Sequence, residues 1–398
     1  MGKRPAREPI WTRDFCLVCF SSFLIHISMH MLMPVLPGYV RSWGVGEGLA
    51  GAVTGAFAIS ALATRPVTGR ELDRRERRPV YLTGLALFVV AAFAYPWAYN
   101  PGSVLGTRVL QGCGFGIVST AAGTIITDLL PPKRRGEGMG YFGLFNSIST
   151  AVAPATGIYL ASNLGYYCLF YAAAALAVAA LLLAAGLSRG QVVSHRTETY
   201  SRLAIFEPGA APASLVALFV SVAYSSVVTF IQIYASMRGI ANVGVFFTVY
   251  ATVMIAIRSI CGRIYDLWGP TPVVAPGLVL MAGSLTLIAH ASGLKALIVA
   301  AVLLGLGFGA AQPSLQALAV AKVPPTRRGA ANANFYSALD IGLGGGSVLF
   351  GLVAEMVGYP SMYQTAATVP LGGIGVYLLM IRFWRNTEDP KNMTVEVK

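Results

Sequence analysis

The chain has 398 residues, of which 56% are hydrophobic and only 11% charged, with 29 Lys and Arg against 16 Asp and Glu for a formal net charge of +13. A water-soluble domain carries about a quarter of its residues as charges, so this composition excludes a soluble enzyme and a disordered chain. It points to a polytopic membrane protein that keeps its excess of basic residues outside the lipid.

A helix needs about 20 predominantly apolar residues to cross the hydrocarbon core, and backbone polar groups there must pair within the helix. In chain order, apolar runs of that length lie at 15–37, 48–69, 79–99, 103–129, 138–161, 165–187, 212–236, 242–264, 271–292, 295–321, 330–357 and 360–384. These runs predict an all-α membrane protein of twelve transmembrane helices. They are rich in Gly and Ala, which lets helix backbones approach closely in a bilayer.

The basic residues alternate between loops. Arg41, Arg238 and Lys295 fall in odd-numbered loops, Arg65, Arg108 and Arg258 lie within or at the ends of spans, and the rest fall at both termini and in even-numbered loops. By the positive-inside rule both termini are expected in the cytoplasm, in a multi-pass protein of the plasma membrane (the cell inner membrane). Because these charges are scattered over short loops, orientation accounts for them and no nucleic-acid partner is expected. Lys3, Arg4, Arg7 and Arg13 precede the first run as in a secretory signal, but the run is too long and lacks a small-x-small cleavage site, so it is expected to be retained as a helix. The five cysteines, Cys16, Cys19, Cys113, Cys168 and Cys261, all sit in apolar segments, which argues against a disulfide framework. Cys16 and Cys19 form a CxxC without further ligand residues, and packing is the expected role.

A repeat organises the chain. RxxxGRxxD occurs from Arg65 to Asp73 and again from Arg258 to Asp266, GxGFG from Gly112 to Gly116 and from Gly305 to Gly309, and PPxRRG from Pro131 to Gly136 and from Pro324 to Gly329. All three pairs share one offset, 258 − 65 = 193. The expectation is two six-helix halves, 1–187 and 212–398, joined by a cytoplasmic linker at 188–211. Six is an even number of crossings, so the two halves insert in the same orientation as parallel repeats.

With these motifs the chain resembles the major facilitator superfamily over nearly its whole length. Gly69, Asp73, Arg74, Arg77 and Arg78 match that family's loop 2-3 signature GxxxDRxGRR, with Glu76 in place of a glycine; the second copy keeps Gly262, Asp266 and Gly269 but not the basic run. The resemblance implies a cytoplasmic latch built from Gly69, Arg70, Asp73, Arg74, Arg77, Arg78, Gly262, Arg263 and Asp266, in which an acid at a helix end is held between guanidinium groups and released as helices separate. Arg108, Gln111 and Gly112 resemble the RxxQG signature of the twelve-helix proton-coupled drug exporters in this superfamily, and Pro154 and Gly157 keep part of the exporters' GPxxG pattern, with Ala153 replacing its first glycine. Charge within the hydrocarbon zone is expensive and usually functional. The counterpart of Arg108 is Ala301, so the shared fold does not demand the arginine.

Asp340 is the one acidic residue expected deep in a span, about 15 Å from the start of the eleventh at 1.5 Å per residue. Its counterpart is Ser147. An acid in that setting can bind and release a proton, so Asp340 and Arg108 are the candidate proton-coupling residues. His26 and His30, four apart on the first span, share a helix face and could contact protons, substrate or a metal, although two ligands do not complete a metal site and none is expected. Gln111, Asn146, Tyr224, Gln232, Gln312 and Gln316 are further polar residues within spans, suited with His26 and His30 to a broad, mostly apolar substrate cavity. The expected function is secondary export of small, amphiphilic compounds by proton antiport with alternating access. Proton-coupled uptake of a metabolite or organic acid is the alternative, and a non-transporting membrane sensor is a third reading. No nucleotide-binding segment is present, no strand is expected, and no enzymatic activity or cofactor beyond the proton gradient is expected of a chain acting as a monomer.

Overall fold

The computed structural model describes residues 9–131, 134–188, 207–321, 323–324 and 328–388. Among them the chain is all-α and clusters into two compact units, Met1–Thr197 and Glu198–Lys398.

The first unit contains α1 (Arg13–Leu32), which continues as the short α2 (Leu36–Arg41), then α3 (Glu47–Arg74), α4 (Arg77–Ala94), α5 (Pro101–Leu129), α6 (Arg135–Leu164) and α7 (Tyr166–Ala185). The second contains α8 (Ala211–Met237), α9 (Gly244–Trp268), α10 (Thr271–Ala289), α11 (Leu294–Ala321) and α12 (Arg328–Glu388). Local chemistry sets several of the ends. Thr12 caps α1 by accepting from the Phe15 N–H at 3.2 Å, and Asn100 with Ser103 closes a reciprocal cap on α5 behind Pro101.

Ten helical segments among the described residues are long and apolar enough to cross a membrane, and the last, Ala330–Arg382, runs for 53 residues. That is two crossing lengths. α12 is broken at Gly358, whose φ of 79° and ψ of 166° no helix contains. Gly165, which separates α6 from α7, has φ 87° and ψ 166°, and it lies 358 − 165 = 193 residues upstream. A residue with a Cβ is strained at such φ values, so both copies of the repeat use glycine at the same junction. The long helix is therefore the counterpart of α6 and α7, and with α6, which is not among the ten apolar segments, counted as a span, the described helices are consistent with the twelve expected.

Packing repeats in the same way. α5 lies against α3 and α4, while α11 lies against α9 and α10; α1 lies against α6 and α7, while α8 lies against α12. The GxGFG copies explain the first of these contacts. A Cβ on Gly112 would strike Ser60 and the Phe57 carbonyl of α3, and one on Gly305 would meet the Tyr250 carbonyl of α9 at 2.8 Å. The middle glycines face the other neighbour, Gly114 toward Phe88 of α4 and Gly307 toward Gly277 of α10. Serine and tyrosine hydroxyls add inter-helix bonds where a bilayer offers no water: Ser28 donates to the Ala173 carbonyl at 2.9 Å, Ser221 to the Leu339 carbonyl at 2.6 Å, and Ser284 to the Ala300 carbonyl at 2.7 Å. Large apolar side chains such as Leu182 and Met356 remain on the outside, as lipid-facing positions require.

Candidate functional site

In the first unit the polar residues gather around one buried cation. Arg108, on the second turn of α5, is fully buried. Its Nη1 donates to Gln111 Oε1 at 2.8 Å, and the Tyr95 hydroxyl donates to the same oxygen at 2.6 Å. The guanidinium carbon stands 5.2 Å from the centre of the Phe57 ring, a cation–π contact. Residues i and i+3 on a helix share a face, which is why the spacing of the RxxQG motif delivers the glutamine to the arginine. Its glycine lets α3 approach closely enough to bring Phe57 beneath the guanidinium.

His26 and His30 lie on α1 with ring centres 6.4 Å apart. His26 Nδ1 is 2.7 Å from the Ser22 carbonyl, which can only accept, so that nitrogen carries a proton. The Thr150 hydroxyl stands 3.0 Å from the Asn146 carbonyl, to which it donates, and 3.1 Å from His30 Nε2. The Phe115 ring contacts both His26, at 5.1 Å, and Phe57, at 5.3 Å. A run of rings thus leads from the histidine pair to the arginine. No group of three or more His, Cys, Asp and Glu among the described residues could hold a metal ion.

In the second unit Tyr224 of α8 packs on Phe308 of α11 at 4.5 Å and near Tyr250 of α9 at 6.0 Å. Arg258 Nη2 donates to Gln312 Oε1 at 3.3 Å, and Gln316 Nε2 donates to the Tyr336 hydroxyl at 2.9 Å. Asp340 is half-buried in α12 with its Oδ2 shut away from solvent. Gly342, one half-turn on, sits against the Leu218 carbonyl and Ser221, which packs this stretch of α12 on α8. Gln232 is half-buried on α8, two turns beyond Tyr224.

Two of the latch arginines bind neighbouring helices. Arg77 pairs with Asp128 of α5, Nε to Oδ2 at 3.2 Å, and also donates to the Leu72 carbonyl. Arg78 donates to the Ala185 carbonyl at the end of α7 at 2.8 Å. Both arginines therefore tie α4 to its neighbours. The side chain of Asp73 lies outside the described residues; Arg70, Arg74, Arg263 and Asp266 are exposed, and nothing lies within 4 Å of a Cβ built on Gly69 or Gly262. Glu76 is the N-cap of α4 with φ −58° and ψ 138°, a conformation open to any residue, whereas Gly269 at the same repeat position has φ 80° and requires its glycine. The departure from the motif thus follows from a different turn.

Sequence reasoning passed over Tyr95, Phe57 and Tyr250. The last two had a signal: Phe57 and Tyr250 are 193 residues apart, as are Phe115 and Phe308, so each unit places an aromatic pair in the same place.

The sequence profile of the Major Facilitator Superfamily matches residues 18–270 and 213–396. A transporter of that type from Burkholderia mallei, described as uncharacterized, is 26% identical over 369 residues, covering 89% of this chain and 89% of its own. The staphylopine export protein of Staphylococcus aureus is 24% identical over 363 residues, covering 87% of this chain and 89% of its own. Among solved structures, the nucleoside transporter NupG superposes with a TM-score of 0.74 at 14% identity over 92% of this chain and 99% of that one. A bacterial homologue of the human lysosomal transporter Spinster gives 0.75 at 16% identity over 96% and 98%. With its profile matched along both repeats and its helices arranged as in these transporters, the chain belongs to the major facilitator superfamily and is a multi-pass membrane transporter of small molecules.

Proposed function

We propose that the protein exports small, amphiphilic compounds by proton antiport with alternating access, and that Asp340 carries the coupled proton. The observation behind this reading is an intramembrane acid with a shielded carboxylate oxygen at a place where the other half of the repeat has Ser147. Ionisable groups within spans mark proton and ion pathways. Arg108 stays charged and supplies a fixed positive field to the same cycle. The direction rests on the RxxQG motif and on the likeness to a protein named for export. The charge asymmetry of the loops supports an inner-membrane orientation with both termini cytoplasmic.

The test is substrate movement in inverted membrane vesicles under an imposed pH gradient, across a panel of dyes and metabolites. One pH unit can sustain about 10-fold accumulation per proton exchanged. Accumulation that an uncoupler abolishes supports export, and Asp340→Asn should reduce it to the passive level; wild-type coupling in that variant would overturn the assignment. A second reading, proton-coupled uptake of an organic acid, is favoured by the buried cation at Arg108 and predicts that preloaded solute leaves the same vesicles.

A further inference from the structure

We propose that the Nε–Nη2 edge of Arg108, together with the Gln111 side-chain amide, is a receptor for a carboxylate on the transported solute. The inference rests on the transporter reading above and narrows its substrate class to amphiphilic monocarboxylates.

Gln111 Oε1 already takes two protons, one from the Tyr95 hydroxyl and one from Arg108 Nη1. Because both of its neighbours are donors, the amide must turn its oxygen toward them and its nitrogen away. That Nε2 is buried and has no acceptor among the described residues, and neither do Arg108 Nε and Nη2. The ion pairs of the described residues do not include Arg108. Phe57 offsets part of the desolvation of the guanidinium, but a ring face accepts no hydrogen bond of carboxylate strength.

Among the described residues no anion pairs with these shielded donors, and the free edge of the guanidinium is a site lacking one component. Nε–H and the adjacent Nη2–H lie parallel on one edge of the guanidinium, which is the fork that fits the two oxygens of a carboxylate. An ammonium group could offer charge there but not the fork. The neighbouring Phe57 and Phe115 rings, continuing to His26, provide an apolar wall for the body of the solute.

The test uses the full chain purified in an uncharged detergent without anionic lipid, with three probes that share one ring system: 1-naphthylacetate, 1-naphthylacetamide and 2-(1-naphthyl)ethylammonium. Affinity and thermal unfolding are measured for each. The acid is expected to raise Tm and to bind at least about 10-fold more tightly than the amide, as a charge-assisted pair warrants, with the ammonium failing to compete. Arg108→Lys should weaken the acid by about 10-fold or more and leave the amide unchanged. Gln111→Glu, which places a carboxylate against Nη1 from within the chain and removes the amide donor, should raise Tm without ligand and weaken acid binding. Where Arg108→Lys does not fold, Gln111→Leu serves, with a several-fold loss of acid affinity expected. Equal binding of acid and amide, or an unchanged acid affinity in the variant that folds, would show that water alone satisfies these donors and overturn the proposal. Acid binding of the expected pattern without any movement across proteoliposomes would instead sink the transporter reading and leave the receptor standing. Movement of the ammonium or amide without acid binding does the reverse.

Discussion

The two six-helix units have the same frame and different chemistry. Gly112 and Gly305 seat one helix on its neighbour, Gly165 and Gly358 make the same break, and Phe57 with Phe115 recurs as Tyr250 with Phe308. Onto that frame the first unit adds a buried cation and two histidines; the second adds an acid and tyrosine hydroxyls. Where the halves agree, the residues act as packing and backbone geometry. Where they disagree, at Arg108 against Ala301 and at Ser147 against Asp340, nothing about packing demands the difference. A repeat thus serves as an internal control that a single sequence otherwise lacks.

Breaking the asymmetry at the acid should have the largest effect. Asp340→Ser, which gives the second unit the residue of the first, is expected to abolish gradient-driven accumulation, about 10-fold per pH unit, in inverted vesicles. Adding Ser147→Asp to that variant should not restore it; restoration would show that the two positions are equivalent. Breaking the symmetric frame should unfold rather than uncouple. Gly112→Leu and Gly305→Leu are each expected to destabilise by about 1–3 kcal/mol or more through overpacking, whereas Gly69→Leu, with open space around its Cβ, should leave Tm near that of the wild type. Thermal unfolding in detergent compares all three.

Tyr250→Phe sharpens the comparison, since it makes the second unit's aromatic pair identical to the first. The Tyr250 hydroxyl is buried and faces the Tyr224 hydroxyl and Arg258, so its removal should destabilise the protein by about 0.5–1.5 kcal/mol. A rise in Tm would show that this hydroxyl makes no useful bond. A small stability effect belongs to Asp128→Asn. Its ion pair with Arg77 is largely exposed on the acid side, and such pairs contribute about 0.2–1 kcal/mol. A latch predicts more from kinetics: the transport rate should change in this variant while Tm hardly moves.

Much of the fold was legible in the sequence because it depends on run length, charge and spacing. The apolar runs anticipate the ten long apolar segments, the last of double length, and the repeat follows from three motif pairs at one offset. The glycines of GxGFG could be read as close-packing residues, but their opposite directions toward α3 and α4 could not. Site details resisted for the same reason. His26 and His30 share a face by spacing alone, while the partners of their ring nitrogens, the Ser22 carbonyl and Thr150, depend on tertiary approach. The pairing of Arg77 with Asp128 was hidden because the motif supplies a nearer acid in Asp73. Glu76 was misleading as a departure, since the turn it occupies needs no glycine.

The surroundings of Arg108 also bear on how the protein is made. A lone arginine in a span opposes insertion by about 2.5–3.5 kcal/mol near the bilayer centre. Here two groups held with it, Tyr95 and Gln111, are only 16 residues apart in the chain, and Phe57 has already been synthesised. The pair α4–α5 can therefore enter the membrane as a hairpin carrying its own shelter for the charge. Assembly of the first unit around its costliest residue need not wait for the ribosome to reach the second.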